Sequence, residues 1–360
     1  MATRIASGAG NGSLSLSRQC SRWVLALLLP LLFLFSVAVG AEPVKLIFDT
    51  DIAGDCDDVG ALAVLHALAE YGEMEILATV VSDRNPNSVL ALDAVNTWYG
   101  RGQIPIGTTK DPNASRNDAG YANALASEYR RTHDWESADD APDAVAVMRQ
   151  ALAAQPDIDE DDPGVVMVGV GFQTNFSNLL KSGGCQHSPL DGSQLVRNKV
   201  RLWVSMAGRF PSGREYNVHR HTSASQHVYE NWPTPIVFSG HEIGHSIMTG
   251  QGLVTLPHDH LVRRAYERLT WRNALSGHYS WDQATVLYAV RGIDGGPASN
   301  YWNLSSPGTI NIDDDGSNTW TDDPQGEHRY KIERKAPSEI AREIEAMMVR
   351  PPLTGDAPSH

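Results

Sequence analysis

The chain is poor in cysteine, in basic charge and, beyond its first forty residues, in long apolar runs. Its 360 residues contain three cysteines, too few for a disulfide framework. Cys20 lies ahead of the N-terminal apolar run, so it is not placed as a lipidated cysteine would be. Cys56 and Cys185 read as free thiols, a single bridge between them being the alternative. Lysine and arginine total 29 against 43 aspartates and glutamates, a balance that excludes the basic footprint of a nucleic-acid binder. No internal repeat and no long linker divides the chain.

The one strongly apolar segment is N-terminal. Arg18 and Arg22 precede a run from Trp23 to Val39, and Val39-Gly40-Ala41 supplies small residues where a signal peptidase would cut. The run falls short of the ~20 residues a membrane span needs and contains Pro30, so residues 1–41 read as an export signal rather than a retained anchor. Its removal takes three arginines and no acid, moving the net charge from −14 to −17. The expectation is an exported protein, periplasmic or extracellular, without membrane attachment after cleavage. Residues 42–360 are enough for one α/β domain with a substantial core.

Within that domain, apolar runs of strand length alternate with helical patterns. Val44–Phe48, Glu75–Val81, Ile104–Ile106, Gly164–Val170, Val200–Met206 and Pro235–Phe238 read as strands; Val59–Ala69 and Ser88–Tyr99 read as helices. The alternation predicts βαβ units in a single Rossmann-like domain, with a mainly parallel central sheet flanked by helices. Past Gly292 the texture turns to Gly, Asn, Ser and Trp, which predicts a small β hairpin. A helix from about Ser338 to Val349 follows.

The strongest chemical signal is Asp49-Thr50-Asp51-Ile52-Ala53-Gly54-Asp55-Cys56-Asp57-Asp58, five carboxylates in ten positions directly after an apolar strand. Uncompensated carboxylates at the end of a buried strand repel one another and lose solvation. A cation is required among them. The donors are mainly hard oxygens, which suits Ca²⁺ or Mg²⁺ better than Zn²⁺. Ligands of parallel sheets bind outside the carboxyl ends of the strands, where this loop falls.

Four segments together resemble the nucleoside hydrolase family, the inosine-uridine preferring type. They are the strand ending in Asp49-Thr50-Asp51 with its Asp57-Asp58 pair, Val168 to Asn175 ending in Thr-Asn, Arg214-Glu215-Tyr216-Asn217, and Trp281-Asp282-Gln283-Ala284. The resemblance spans roughly residues 44 to 292. It implies Ca²⁺ held by Asp51, Asp58, Asp282 and the carbonyl of Thr174, with Asp51 as general base. It further implies that Asp57, Glu215 and Asn217 bind the ribose hydroxyls of a small-molecule riboside, and that the protein assembles as a homodimer or homotetramer. Asp83 and Asn85, in the loop after the second strand, are further candidates for the sugar.

The chain departs from the family in two places. Five residues separate Asp51 from the aspartate pair where the best-known members have three, which makes Asp55 an added carboxylate. Trp281 stands where many members carry the histidine that protonates the leaving base. A purine-preferring branch also has tryptophan there, stacked on the base, so Trp281 is placed on the base side of the site. His278, three residues earlier, is the alternative acid.

Two rival readings accompany this one. A non-catalytic, calcium-dependent binder of ribosides or polyols would use the same carboxylates. His241-Glu242-Ile243-Gly244-His245 matches the HExxH pattern of zinc peptidases, with Glu267 as an imaginable third ligand. Gly240, Gly244 and Gly250 are weak helix formers, and the segment is expected to be a loop after a strand with two surface histidines. Asp313-Asp314-Asp315-Gly316 lacks the glutamate of a calcium loop and reads as a tight turn.

Overall fold

A computed structural model describes residues 42–351. The leader read at residues 1–41 lies outside the described residues. Thirteen strands follow in chain order: β1 Val44–Thr50, β2 Met74–Val81, β3 Ile106–Thr108, β4 Val165–Gly169, β5 Val200–Met206, β6 Ser212–Arg214, β7 Ile236–Ser239, β8 Met248–Thr249, β9 His278–Tyr279, β10 Trp302–Leu304, β11 Gly308–Ile312, β12 Ser317–Asp322 and β13 Arg329–Glu333. Eight of them form the central sheet in the order β10-β13-β7-β5-β4-β1-β2-β3. Every pairing in it is parallel except that of β10 with β13 at the edge.

The inner strands β1 and β4 are buried on both faces because helices cover both. From Leu46 to Thr50 β1 is wholly buried, and so is β4 throughout, the pattern of a doubly covered parallel sheet rather than an alternating one. One apolar core lies under the helices Asp57–Glu70, Ser88–Trp98 and Pro337–Met348, and a second under Ala144–Ala153 and Thr174–Lys181. The helix Asp57–Glu70 is buried at every position from Asp57 to Leu68. It has no polar face because other helices surround it. Pro337–Met348 keeps the amphipathic pattern, with Ile340, Ile344, Met347 and Met348 turned inward.

The chain runs from β1 outward to β2 and β3, then returns to add β4 on the other side of β1. Between β1 and β4 the winding direction reverses, which opens a crevice at their carboxyl ends. The acidic loop leaves β1 at that crevice.

The C-terminal region is richer than the expected hairpin. β11 and β12 do form one, turning through Asp313–Gly316, but β6 joins it in a three-stranded sheet. β13 and β10 extend the central sheet instead of belonging to the hairpin. Among the described residues no helix is long and apolar enough to cross a membrane.

Candidate active site

Two helix amino termini meet at the crevice and each brings carboxylates in its first turn. Asp57 and Asp58 open one helix, and Asp282 is the second residue of the helix Trp281–Leu287. The positive ends of the helix dipoles favour negative charge there. The backbone N–H of Asp282 donates to Asp57 Oδ2 at 3.2 Å, which ties the two helix starts together. Asp57, Asp58 and Asp282 each place a carboxylate oxygen within 4.8 Å of the others. Thr50 Oγ1 donates to Asp58 Oδ1 and orients it.

Asp51 lines the same cleft, which has a volume of about 450 Å³. Its Oδ2 accepts from Asn117 Nδ2 at 2.8 Å, and Asn117 Oδ1 accepts from the Tyr216 hydroxyl at 2.7 Å. Gly54 makes this approach feasible, since a Cβ at that position would stand 2.5 Å from Asn117 Nδ2. Burial first, then neighbouring carboxylates, pushes Asp51, Asp57, Asp58 and Asp282 well above the usual carboxylate range.

These groups fit a divalent cation. All their donors are oxygens, they are buried together, and no lysine or arginine is among the residues lining the cleft. An octahedral or larger oxygen shell around a hard cation is the arrangement that relieves such crowding.

The structure brings together seven of the residues singled out from the sequence: Asp51, Asp57, Asp58, Glu215, Asn217, Trp281 and Asp282 all line the cleft. Glu215 is also the N-cap of the helix Tyr216–Arg220, accepting from the N–H groups of Asn217 at 2.8 Å and Val218 at 3.2 Å. Burial raises its pKa to about 7 against these hydrogen bonds. Asn217 Nδ2 donates to the Val170 carbonyl at 2.8 Å.

Three expected residues are placed elsewhere. Thr174 is not among the residues lining the cleft; it opens the helix Thr174–Lys181, and its Oγ1 bonds His221 Nδ1 at 2.8 Å. The backbone position that reaches the cleft from this segment is Val170, at the end of β4. Asp83 and Asn85 also stand outside the cleft. Asp83 Oδ2 accepts from the Asn117 N–H at 2.7 Å, and Asn85 Nδ2 donates to the Asn117 carbonyl at 2.8 Å. Both hold Asn117, the residue that donates to Asp51.

Asn117 itself has no sequence signal, standing in a loop of mixed polar residues. Tyr216, half-exposed inside the Glu-x-Asn element, was open to recognition from that motif. His241 was legible only as part of HExxH.

The HExxH segment is a five-residue helix, His241–His245, after β7, rather than a loop. Gly244 is required by packing, because a Cβ there would stand 2.2 Å from Trp281 Cα. His241 faces the cleft beside Trp281, whose Nε1 donates to the His241 carbonyl at 2.8 Å. Glu242 instead accepts from the Phe210 N–H at 3.3 Å, and Glu267 is bound to Arg263 at 2.7 Å. The peptidase constellation is not assembled.

Cys56 is buried, Cys185 is exposed, and both are free thiols.

No protein-family model and no curated protein sequence matches the chain. Solved structures do. A purine-preferring ribonucleoside hydrolase from Gardnerella vaginalis superposes with a TM-score of 0.64 at 15% identity, covering 84% of this chain and 98% of that one. A plant nucleoside hydrolase gives 0.62 at 18% identity over 86% of this chain and 100% of that one. An inosine-uridine preferring nucleoside hydrolase from Bacillus anthracis gives 0.61 at 12% identity over 85% and 98%. Strand order, crevice and cleft together with these superpositions identify the fold of this chain as that of the nucleoside hydrolases.

Proposed function

We propose that the protein hydrolyses the N-glycosidic bond of ribonucleosides or related ribosyl compounds, releasing free base and ribose, with Ca²⁺ as its metal. The observation that carries this reading is the group of buried carboxylates Asp51, Asp57, Asp58 and Asp282, gathered at the switch point of a nucleoside hydrolase fold. The solved neighbours named for ribonucleoside, purine-preferring and inosine-uridine preferring hydrolysis support it.

Cleavage proceeds through a sugar with oxocarbenium character, which calls for a nucleophilic water, nearby negative potential and a stabilised leaving base. Asp51, Asp58, Asp282 and the Val170 carbonyl would hold the cation, which would supply Lewis-acid activation of the attacking water. Asp51 accepts the proton of the attacking water, and Asn117 fixes which carboxylate oxygen faces it. Asp57, Glu215 and Asn217 orient the ribose hydroxyls, so that water and anomeric carbon stay aligned. Trp281, with its indole nitrogen fixed on the His241 carbonyl, offers its face to the base.

The leader supports export to the periplasm or the extracellular space, and assembly as a homodimer or homotetramer is the expectation carried by the resemblance. Incubation of the purified protein with inosine and with uridine, followed by chromatographic identification of free base and ribose, tests the reaction. Binding of either nucleoside without base release would leave the calcium-dependent riboside binder as the correct reading.

A further inference from the structure

The acidic loop carries a second cluster that the hydrolytic reading leaves unused. Asp55, Cys56 and His278 each place one ligand atom, a carboxylate oxygen, a thiol sulfur and an imidazole nitrogen, within 4.8 Å of the others. Cys56 and His278 are fully buried. His278 Nε2 lies in ion-pair contact with the Asp55 carboxylate, while its Nδ1 is buried without a hydrogen-bond partner. A buried ring nitrogen without a partner is uncommon in a folded core.

Local structure holds all three in place. Cys56 is the N-cap of the helix Asp57–Glu70. The Asp55 carbonyl accepts from the Tyr121 hydroxyl at 2.6 Å, which fixes the loop. His278 belongs to β9, paired with Thr249 of β8, and Trp271 and Tyr266 present their rings edge-on to its imidazole at 5.5 and 6.2 Å. That aromatic surround restricts solvent, as the outer shell of a metal site does. Asp55 and Cys56 lie between Asp51 and the Asp57-Asp58 pair, where this loop is longer than in the best-known members of the family it resembles.

We propose that Asp55, Cys56 and His278 form a transition-metal site, selective for Zn²⁺, directly behind the oxygen-only site of Asp57, Asp58 and Asp282. Sulfur and nitrogen donors favour Zn²⁺, whereas Ca²⁺ requires an all-oxygen shell, so neighbouring sites are sorted by donor chemistry. Three protein ligands leave one position of a tetrahedron. Asp55 lines the cleft. The site is independent of whether the cleft hydrolyses nucleosides.

The test is titration of the full, metal-stripped protein with Co²⁺, a spectroscopic stand-in for Zn²⁺, in the presence of excess Ca²⁺. The expected result is one equivalent of Co²⁺ with thiolate-to-metal charge-transfer absorption, displaced by Zn²⁺ and unaffected in Cys185→Ser. Cys56→Ser should abolish that absorption. Asp55→Asn, in a partly exposed loop position that tolerates the change, should weaken Zn²⁺ binding by ~10-fold or more. Co²⁺ bound without the charge-transfer band, or Zn²⁺ affinity unchanged in Asp55→Asn, would overturn the proposal. Inosine turnover measured on the same samples separates this outcome from failure of the hydrolytic reading.

Discussion

Asn117 donates from Nδ2 to Asp51 Oδ2 at 2.8 Å and accepts from the Tyr216 hydroxyl at 2.7 Å. One amide thus links the carboxylate at the end of β1 to the Glu215-Tyr216-Asn217 element on the far wall of the cleft. Asp83 and Asn85 hold Asn117 in turn through its backbone. The proposed base is oriented by a chain of hydrogen bonds that runs through one amide.

Asn117→Ala should therefore lower kcat more than it raises KM. Loss of a hydrogen bond to a charged group is worth ~2 kcal/mol, roughly 30-fold in rate. Steady-state kinetics on inosine check this; a change confined to KM would place Asn117 in ground-state binding instead.

Asp51→Ala should abolish turnover and weaken Ca²⁺ binding together, since one carboxylate serves as ligand and base. Asp282→Ala should act chiefly through the metal, so that millimolar Ca²⁺ restores part of its activity. Calcium titrations run beside rate measurements distinguish the two. Near-normal turnover in Asp51→Ala with metal bound would remove Asp51 as the base.

The strand and helix alternation was legible because buried parallel strands and their helices leave contiguous apolar runs, and Val44–Thr50 and Val200–Met206 fall where that pattern places them. The carboxylates were legible for the opposite reason: Asp57, Asp58 and Asp282 are polar residues where the fold buries its chain. Asn117 was not, because its position depends on a loop closed by Asp83 and Asn85 across more than thirty residues. The segment from Val168 to Asn175 was legible as a whole, but not which of its residues lines the cleft: Val170 does, and Thr174 opens the helix that follows. The β10 and β13 additions were hidden by their short length and partly exposed residues.

Trp281 should contact the leaving base. Its indole cannot act as a proton donor to a ring nitrogen in the manner of a general acid, but its face can stack on a purine. Trp281→Ala should lower inosine turnover by about tenfold, and turnover of a nitrophenyl riboside, whose leaving group needs no protonation, by much less. Equal losses on both substrates, with bound calcium unchanged, would reduce Trp281 to packing.

The fold should lose stability in mild acid through His66. Burial holds its pKa near 3 against 6.5 for an exposed histidine, and it is held between Asn96 at 3.0 Å and the stacked ring of Tyr99. Between those two values the unfolded chain binds a proton that the folded chain does not. Its contribution is therefore full above pH 6.5 and declines as pH falls toward 3, by on the order of a few kcal/mol. Urea unfolding at pH 7 and pH 5 should show a lower midpoint at pH 5, and His66→Gln should flatten that difference. An unchanged slope in the variant would assign the acid sensitivity to other groups.

The central claim is that the buried carboxylates serve a metal used in N-glycosidic hydrolysis, and the most direct measurement is ribose release from inosine before and after chelation, with Ca²⁺ added back. The account predicts turnover that is lost with chelator and restored by Ca²⁺ in wild type, with no restoration in Asp51→Ala. Turnover that persists in metal-free protein, or absence of ribose release from inosine and uridine alike with Ca²⁺ bound, would contradict it.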